Sequence, residues 1–464
     1  MIRRMQIPIL TMMACIGMTT VPFVAAGQSS HAVEDGSGAY ASGEYRNLFA
    51  EAGHSNAEID ARIQAAFHQL FHGDPATEAV YYDAGRNANG PLAYLTDVAN
   101  HDVRTEGMSY GMMIAVQTDH KSEFDALWNW ANTYMLVTDP ANPSAGYFAW
   151  SMHTDGTPNS DSPAPDGEQY FVMSLYFASH RWGNGQGIYD YQALADRLLK
   201  LMRHHELLSG TMPFRLHPQD PPFVPAWRRA TQAPSGMPRK VTVGPMVNES
   251  YKMIVFVPGE GGNTFTDPSY HLPAFYELWA RWGPKEDSDF WFAAAKKSRE
   301  FFVAATNSKT GLAPDYANFD GSPRASFNAM SSNFSYDSWR TVSNWSVDQS
   351  WWGKNPDART LSDRIQAFLF SEGIHRFADR YSLDGKPMSN RHSTGMVSTT
   401  AVGSLAAGNT PQARAFVEEL WATPCPSGEQ RYYDGTLYMM SLLHASGHFR
   451  IWMPPTAHGE RHRP

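Results

Sequence analysis

The sequence predicts an all-α protein. Apolar residues recur every three to four positions in about twelve segments, a spacing that gives each helix one apolar face. Alternating apolar and polar residues, which indicate strands, are few. Composition does not shift sharply anywhere along the 464 residues, so the sequence favours one large domain.

Several predicted helices have residues that favour a helix terminus. Asp267-Pro268 and Thr410-Pro411 are expected starts, while Gly183 and Gly283 are expected ends because glycine readily adopts a left-handed turn. A ring of six inner and six outer helices would use the whole set, although a helical array or two bundles would also fit, because no repeat of fixed period is evident. The predicted helices cover 57–73, 104–118, 121–137, 167–182, 189–206, 270–282, 287–306, 338–352, 360–381, 393–407, 411–422 and 432–446.

Three connections between these helices are long and rich in Gly, Pro, Asn and Asp. They cover 138–166, 207–247 and 308–336. Long loops on a rigid helical scaffold usually build binding sites, so we expect the functional site among them.

The first 26 residues have the pattern of a secretory signal peptide. Arg3 and Arg4 precede an apolar stretch that ends in the small residues Ala25 and Ala26. A weaker match to a lipoprotein cleavage site ends at Cys15. We therefore predict a secreted or periplasmic protein with a flexible lead-in at 27–44, one folded domain at 45–455 and a tail at 456–464.

Charge and composition narrow the class of ligand. Without the signal peptide, 35 basic residues stand against 46 acidic ones, a net charge of −11 that disfavours nucleic acid. No later segment has the roughly 18 consecutive apolar residues of a membrane span. The chain contains 14 Trp, 21 Tyr and 25 Phe, whose flat faces suit sugar rings as well as core packing.

Three carboxylates stand where a loop enters a predicted helix: Glu106, Asp166 and Asp337. Hydrolysis of a glycosidic bond requires one carboxyl group to protonate the leaving oxygen and another to activate water or attack carbon. Taken singly, each of the three has a structural alternative, because acidic residues also cap helices and complement the helix dipole. Arg340, three residues after Asp337, can keep that carboxylate ionised, as a base must be.

The segment Asp97-Val-Ala-Asn-His-Asp-Val-Arg-Thr-Glu-Gly-Met-Ser-Tyr-Gly-Met112 resembles the signature of glycoside hydrolase family 8. Later segments resemble further blocks of that family in the same order, so the resemblance spans roughly residues 45 to 452. These blocks are Pro165-Asp-Gly-Glu168, Asp267-Pro-Ser-Tyr270, Gly311-Leu-Ala-Pro-Asp315, Tyr336-Asp-Ser-Trp-Arg340 and Asp434-Gly-Thr-Leu-Tyr438.

The resemblance implies an (α/α)6 barrel and an enzyme that inverts the anomeric carbon. Glu106 matches the proton donor, Asp337 matches the base that activates water, and Asp166 matches an acid that positions the sugar at the cleavage point. Arg340 matches the arginine after the base, which either pairs with Asp337 or binds sugar. The family's aromatic sugar platforms match Trp130, Trp150, Tyr170 and Tyr270, although the helical spacing of Trp130 equally suits a core residue.

The segments around Glu106 and Asp166 resemble the xylan-active members of the family. His392 matches a histidine that blocks the cleft beyond the leaving xylose in the exo-acting branch, so we predict release of xylose from the reducing end of β-1,4-linked xylo-oligosaccharides. An endo-acting xylanase or glucanase is the alternative within the family, and a non-catalytic sugar-binding protein or a lyase is the alternative outside it.

No cofactor or metal is expected. His68 and His72 have metal-ligand spacing on a predicted helix, but no acidic third ligand stands beside them. The expected partner is a xylo-oligosaccharide, with no nucleic acid and no membrane, and a monomer is favoured. With the signal peptide removed, Cys425 is the single cysteine, so no internal disulfide is expected.

Overall fold

Helices alternate between the inside and the outside of a ring in the computed structural model, which describes residues 37–212, 239–326 and 329–455. The predicted signal peptide, most of the predicted lead-in and the predicted tail lie outside the described residues. The fourteen α-helices of the described residues are α1 (Ala39–Ser42), α2 (Leu48–Ala52), α3 (Asn56–His72), α4 (Thr105–Gln117), α5 (Lys121–Trp130), α6 (Pro165–Trp182), α7 (Tyr191–His204), α8 (Pro273–Trp282), α9 (Ser288–Ala305), α10 (Trp339–Trp352), α11 (Ala358–Glu372), α12 (Thr394–Val402), α13 (Pro411–Ala422) and α14 (Arg431–Ala445).

Six of these helices form an inner ring: α4, α6, α8, α10, α12 and α14. Each packs against an outer partner, namely α5, α7, α9, α11, α13 and α3 in the same order. Contacts between α4 and α6, α8 and α10, α10 and α12, α12 and α14, and α14 and α4 join the inner helices around the ring. The architecture is an (α/α)6 barrel, as the resemblance implied.

The position of each helix follows from its apolar pattern. α4 is apolar or small on every side, and all its residues except Glu106 are buried. By contrast, α7 buries one stripe at helical spacing, formed by Tyr191, Ala195, Leu198 and Met202 with Leu199 beside it. A helix that is apolar all round belongs inside, and one with a single apolar face belongs at the surface of the ring.

The predicted helix boundaries are close, with three corrections. α11 ends at Glu372, well before the predicted residue 381, because Gly373 leaves the helix with φ 104°. Asp267 caps a 3₁₀ turn, Pro268–Tyr270, and α8 begins only at Pro273. Gly183 ends α6 with a positive φ as expected, whereas Gly283 ends α8 in extended backbone with φ −79°.

Nine short strands form small antiparallel sheets within the described residues. One sheet, β3-β4-β5, joins the starts of two inner helices: β3 runs directly into α4, and β5 precedes α6. The strands are β1 (Tyr81–Asn87), β2 (Gly90–Leu95), β3 (Asp102–Arg104), β4 (Ser151–His153), β5 (Pro158–Ser160), β6 (Leu208–Met212), β7 (Arg239–Val243), β8 (Val247–Asn248) and β9 (Met253–Ile254). None of the helices in the described ranges has the length and apolar content that crossing a membrane requires.

Candidate active site

One buried arginine brings the three predicted acids together. Arg340 Nη1 donates hydrogen bonds to Glu106 Oε2 at 2.9 Å and to Asp166 Oδ2 at 3.2 Å. Arg340 Nη2 donates to Asp337 Oδ1 at 3.1 Å. The same guanidinium also donates to the hydroxyls of Tyr110 and Ser269. Arg340 therefore holds the three acids together through one guanidinium group.

The fold explains how residues so distant in sequence meet. An outer helix returns the chain after each inner one, so the inner helices run parallel and all begin at the same end of the barrel. Glu106 lies in the first turn of α4, Asp166 lies in the first turn of α6, and Asp337 lies two residues before α10. The acid cluster thus sits at the end of the barrel where the inner helices start.

Glu106 lies in a mostly buried position between Arg340 and Tyr432. Its side chain is 14 % exposed. The hydroxyl of Tyr432 donates to its Oε1 at 3.4 Å, opposite the bond from Arg340. Burial raises the pKa of Glu106 to about 7, and the charges of Asp166 and Asp337 add to this effect while Arg340 opposes it. A carboxyl group that keeps its proton near neutral pH can serve as a general acid.

Asp337 lies in a more open position. Its side chain is 32 % exposed, and Arg340 both binds its carboxylate and donates from Nε to its backbone carbonyl at 3.4 Å. Asp337 and Glu106 bind different nitrogens of one guanidinium, so two hydrogen bonds and the width of that group separate them. This arrangement is compatible with the gap of about 6.5–9.5 Å that leaves room for a water between acid and base.

Glycine allows the acid-bearing helices to approach closely. A Cβ added to Gly167 would lie 2.4 Å from the Cβ of Thr105, at the contact between the starts of α6 and α4. A Cβ added to Gly107 would lie 2.4 Å from the Tyr432 hydroxyl that bonds to Glu106. The residues after Glu106 and Asp166 must therefore be glycine for the starts of α4 and α6 and the Tyr432 ring to approach this closely.

Two further buried carboxyl groups, Asp267 and Asp315, lie beside the base. Asp267 accepts a hydrogen bond from Ser269 N at 2.6 Å, and Asp315 accepts one from Ser338 N at 3.2 Å. Burial raises the pKa of Asp315 to about 8, and the charge of Asp337 adds to it. Burial and Asp337 likewise hold the pKa of Asp267 far above its usual range. Both residues belong to segments that resemble family blocks, but no local pattern in the sequence predicts that they lie beside Asp337.

The four predicted sugar platforms occupy different environments. Trp130 is only 1 % exposed and packs against Tyr94 and Tyr134, so its ring belongs to the core. Trp150 is partly exposed, with the Arg104 guanidinium 5.7 Å from its ring centroid and its carbonyl bonded to Thr105 N at the start of α4.

The other two predicted platforms are tyrosines close to Arg340. Tyr170 is buried edge-on against Tyr110. Tyr270 is buried with its ring 5.7 Å from the Arg340 guanidinium, and burial together with the charges of Asp166, Asp267 and Asp337 raises its pKa. Its ring therefore lies beside the guanidinium that holds the three acids.

An exposed aromatic that sequence reasoning missed stands next to the base. Tyr336 is 43 % exposed, precedes Asp337 directly and packs against Trp339. The hydroxyl of Tyr433 donates to the Tyr336 carbonyl at 2.9 Å and so fixes this segment. The position of Tyr336 immediately before Asp337 is the sequence signal that could have identified it as a site residue.

His392 is not in contact with the acid cluster. Its Nδ1 lies 2.8 Å from the Phe377 carbonyl oxygen, its ring packs edge-on against the Phe377 ring, and its Nε2 lies 3.7 Å from Glu419 of α13. The side chain is 25 % exposed. The preceding residue, Arg391, pairs with Asp434 of α14. These contacts turn His392 toward an outer helix.

Comparison with known proteins decides the family. The chain matches glycosyl hydrolases family 8 over residues 89–209 and 243–447. It belongs to this family. The predicted family and the predicted barrel are thereby confirmed, and the protein is a glycosidase.

Individual relatives in this family act on xylan fragments. The chain is 41 % identical to a reducing end xylose-releasing exo-oligoxylanase of Halalkalibacterium halodurans, covering 90 % of this chain and 97 % of the relative. It is 40 % identical to the reducing-end xylose-releasing exo-oligoxylanase Rex8A of Paenibacillus barcinonensis, covering 90 % and 99 %. A catalytic-mutant xylanase of Teredinibacter turnerae, solved in complex with xylohexaose, is 48 % identical with a TM-score of 0.82, covering 90 % of this chain and all of that one.

Proposed function

We propose that this family 8 enzyme hydrolyses β-1,4-linked xylo-oligosaccharides with inversion and releases xylose from the reducing end. The observation that carries the proposal is the cluster in which Arg340 holds Glu106, Asp166 and Asp337. The two exo-oligoxylanase relatives support the substrate and the direction of cleavage.

Each acid has a distinct role in the proposed reaction. Glu106 donates its proton to the glycosidic oxygen as the bond from that oxygen to the anomeric carbon breaks. Asp337 removes a proton from a water that attacks the same carbon from the opposite face, which inverts its configuration. Asp166, held by Arg340 and by Gly167 N, binds and orients the sugar at the cleavage point. Proton exchange with solvent then restores Glu106 and Asp337.

The pKa of Glu106 predicts a fall of activity with rising pH. Glu106 must carry its proton to act as the acid, and its pKa of about 7 means that this proton is lost as the pH rises through neutrality. The plot of kcat/KM against pH for xylotriose should therefore decline on its basic side near pH 7. Activity that stays flat through neutral pH would contradict the assigned acid.

Replacing Gly167 by alanine should lower kcat by about 10²-fold, because misplacing a reacting group by about 1 Å has an effect of this size. The added Cβ would collide with Thr105 and force the starts of α4 and α6 apart. Gly259→Ala is the matched control, since its Cβ would meet no atom closer than 4.0 Å. Steady-state kinetics measure kcat of both variants, and thermal unfolding checks that both are folded. Wild-type kcat in Gly167→Ala would contradict the claim that catalysis needs the close approach of α4 and α6.

An endo-acting xylanase is the second candidate, and one of the similar solved structures favours it. The ring of His392 is turned toward Phe377 and Glu419, and its blocking role stays a prediction. The 48 % identical xylanase bound to xylohexaose is compatible with an open cleft. The relatives thus favour different modes of cleavage, because two are exo-oligoxylanases and one is a xylanase.

Product analysis separates the two candidates. Xylotriose, xylohexaose and their borohydride-reduced forms are incubated with the enzyme, and the early products are resolved by chromatography. Exo action at the reducing end yields xylose plus an oligomer one unit shorter and leaves the reduced substrates intact. Mixed oligomers from xylohexaose, with cleavage of the reduced form, would replace the exo proposal by the endo one.

We further propose that the protein is exported and acts as a monomer. The signal-peptide pattern of residues 1–26 supports export. Expression of the full-length chain, fractionation of the cells and N-terminal sequencing of the product test it. Retention in the cytoplasm with Met1 in place would contradict export. Sedimentation of the exported protein at twice the mass of one processed chain would contradict the monomer.

A further inference from the structure

An internal cavity lies beneath the acid cluster, inside the ring of helices. Its upper part, about 30 Å³, is bounded by Arg340 together with Tyr110 and Tyr170. Its lower part, about 10 Å³, extends toward Arg46, whose side chain is half exposed. Val347, His444 and Phe449 line both parts, so we treat them as one axial cavity.

The axial cavity follows one face of each of two inner helices. On α10 the lining residues are one or three positions apart, as residues on one face of a helix are, and they run from the first turn to the last. At about 1.5 Å per residue, the stretch from Arg340 to Trp351 spans about 16 Å of the barrel axis. The lining residues are Arg340, Ser343, Asn344, Val347, Ser350 and Trp351 of α10 and Leu437, Met440, Ser441 and His444 of α14.

Several polar groups that line the axial cavity have no hydrogen-bond partner among the described residues. Among the described residues, neither ring nitrogen of His444 nor the hydroxyl of Ser441 has a hydrogen bond, although both residues are buried. Asn344 donates from Nδ2 to the Ser269 carbonyl at 2.7 Å, and its side-chain oxygen has no donor within the described ranges. Burial lowers the pKa of His444 to about 3, so the ring is neutral and presents one donor and one acceptor.

Water satisfies these requirements. Buried polar groups without a partner are strongly destabilising, and a bound water with two to four polar neighbours relieves this cost. A water needs about 10–15 Å³ of cavity, so the axial cavity holds about two waters in its upper part and one in its lower part.

The polar lining connects the axial cavity to the active site. Asn344 holds the carbonyl of Ser269, and the hydroxyl of Ser269 accepts a hydrogen bond from Arg340 Nη2 at 2.9 Å. Tyr270, which follows Ser269 in the same 3₁₀ turn, packs against Arg340. Whatever orients Asn344 therefore orients this turn and the guanidinium that holds the three acids.

We propose that the axial cavity is hydrated, that its waters link His444 and Ser441 to Asn344, and that His444 is in this way a positioning residue for the acid cluster. The waters orient the side chain of Asn344, and Asn344 in turn orients the Ser269–Tyr270 turn and Arg340. The kinetic part of this proposal rests on the proposed function, whereas the hydration itself does not.

A crystal structure of the full enzyme, with and without pressurised xenon, tests the hydration. We expect ordered waters within hydrogen-bond distance of the His444 ring and the Asn344 side-chain oxygen, and no xenon in the cavity. An apolar cavity without water binds xenon. A cavity that lacks water density and takes up xenon would overturn the proposal, whatever the substrate of the enzyme proves to be.

Kinetics of cavity variants test the positioning role. His444→Phe keeps the ring shape but removes both nitrogens, and we expect kcat to fall about tenfold with KM and the pH profile unchanged, corresponding to a loss of about 1.4 kcal/mol of transition-state stabilisation. His444→Asn, which restores a donor and an acceptor, should recover most of kcat. Met440→Leu is the matched control, because it changes an apolar lining residue at nearly constant volume.

Two results would overturn the positioning role. One is wild-type kcat in His444→Phe, and the other is an equal loss in His444→Phe and His444→Asn. If His444→Phe does not fold, Ser441→Ala removes one water partner with little change of shape. A smaller fall of kcat in Ser441→Ala then supports the proposal, and wild-type kcat in that variant counts against it.

Discussion

Replacing Glu106 by glutamine should lower kcat for xylotriose by about 10²- to 10⁴-fold and leave KM nearly unchanged, because the variant has no proton to give to the leaving oxygen. Glutamine keeps the shape of the side chain, and its amide oxygen can still accept the bond from Arg340 Nη1. Steady-state kinetics on xylotriose measure the effect. Glu429→Gln, at an exposed position, is the control and should behave as wild type.

A substrate with a better leaving group sharpens this test. Fluoride departs with little need for a proton, so Glu106→Gln should hydrolyse β-xylobiosyl fluoride at a rate much closer to that of the wild type. An equal loss on both substrates would remove Glu106 from the acid role. If the protein only binds sugar, neither the wild type nor Glu106→Gln would release product from xylotriose. The two proteins would then be indistinguishable in this assay.

Replacing Asp337 by asparagine should also lower kcat by about 10²- to 10⁴-fold, since no other group then removes the proton from the attacking water. Asparagine retains an oxygen for the bond from Arg340 Nη2, so the cluster should keep its shape. Because water must still be activated, β-xylobiosyl fluoride should not rescue this variant. Rescue by the fluoride would show that Asp337 is not the base.

Asp337→Asn also provides a second readout. The charge of Asp337 is one of the causes that raise the pKa of Glu106, so its removal should lower that pKa. The basic side of the pH profile, followed through the residual activity, should therefore move to lower pH. A profile that moves to higher pH would contradict the electrostatic account of the cluster.

The sequence predicted the helices well because their apolar periodicity records which face is buried. It also identified Glu106, Asp166 and Asp337 as candidates, since each stands at the start of an inner helix. Taken singly, each of these acids is as well explained by helix capping. The family resemblance, and then the contacts of all three with Arg340, distinguish the cluster from three separate caps.

The remaining features depend on three-dimensional packing, which local patterns do not record. Trp130 is an aromatic residue of the kind that forms sugar platforms. It lies in the core instead, because its helix turns the Trp130 side chain inward. Asp267 was expected to start an α-helix, and instead it caps a 3₁₀ turn beside the base. The approach of Gly167 to Thr105 joins two helices far apart in sequence and is visible only in the fold.

The orientation of His392 could not be read from its neighbours in sequence. The side chain follows the anchoring of its loop, in which Arg391 pairs with Asp434 and Ser393 donates to the same carboxylate. A motif can identify the loop, but contacts with α14 determine where the histidine points. The blocking role of His392 therefore stays a prediction, which the product analysis decides.

The stereochemistry of the first product tests the central claim most directly. Proton NMR during hydrolysis of xylotriose by the wild-type enzyme distinguishes the anomers of the newly formed reducing end before they equilibrate. With Glu106 as acid and Asp337 as base acting through water, the new reducing end should appear first in the α configuration. Initial formation of the β anomer would mean that a carboxylate attacks carbon directly, and it would contradict the account.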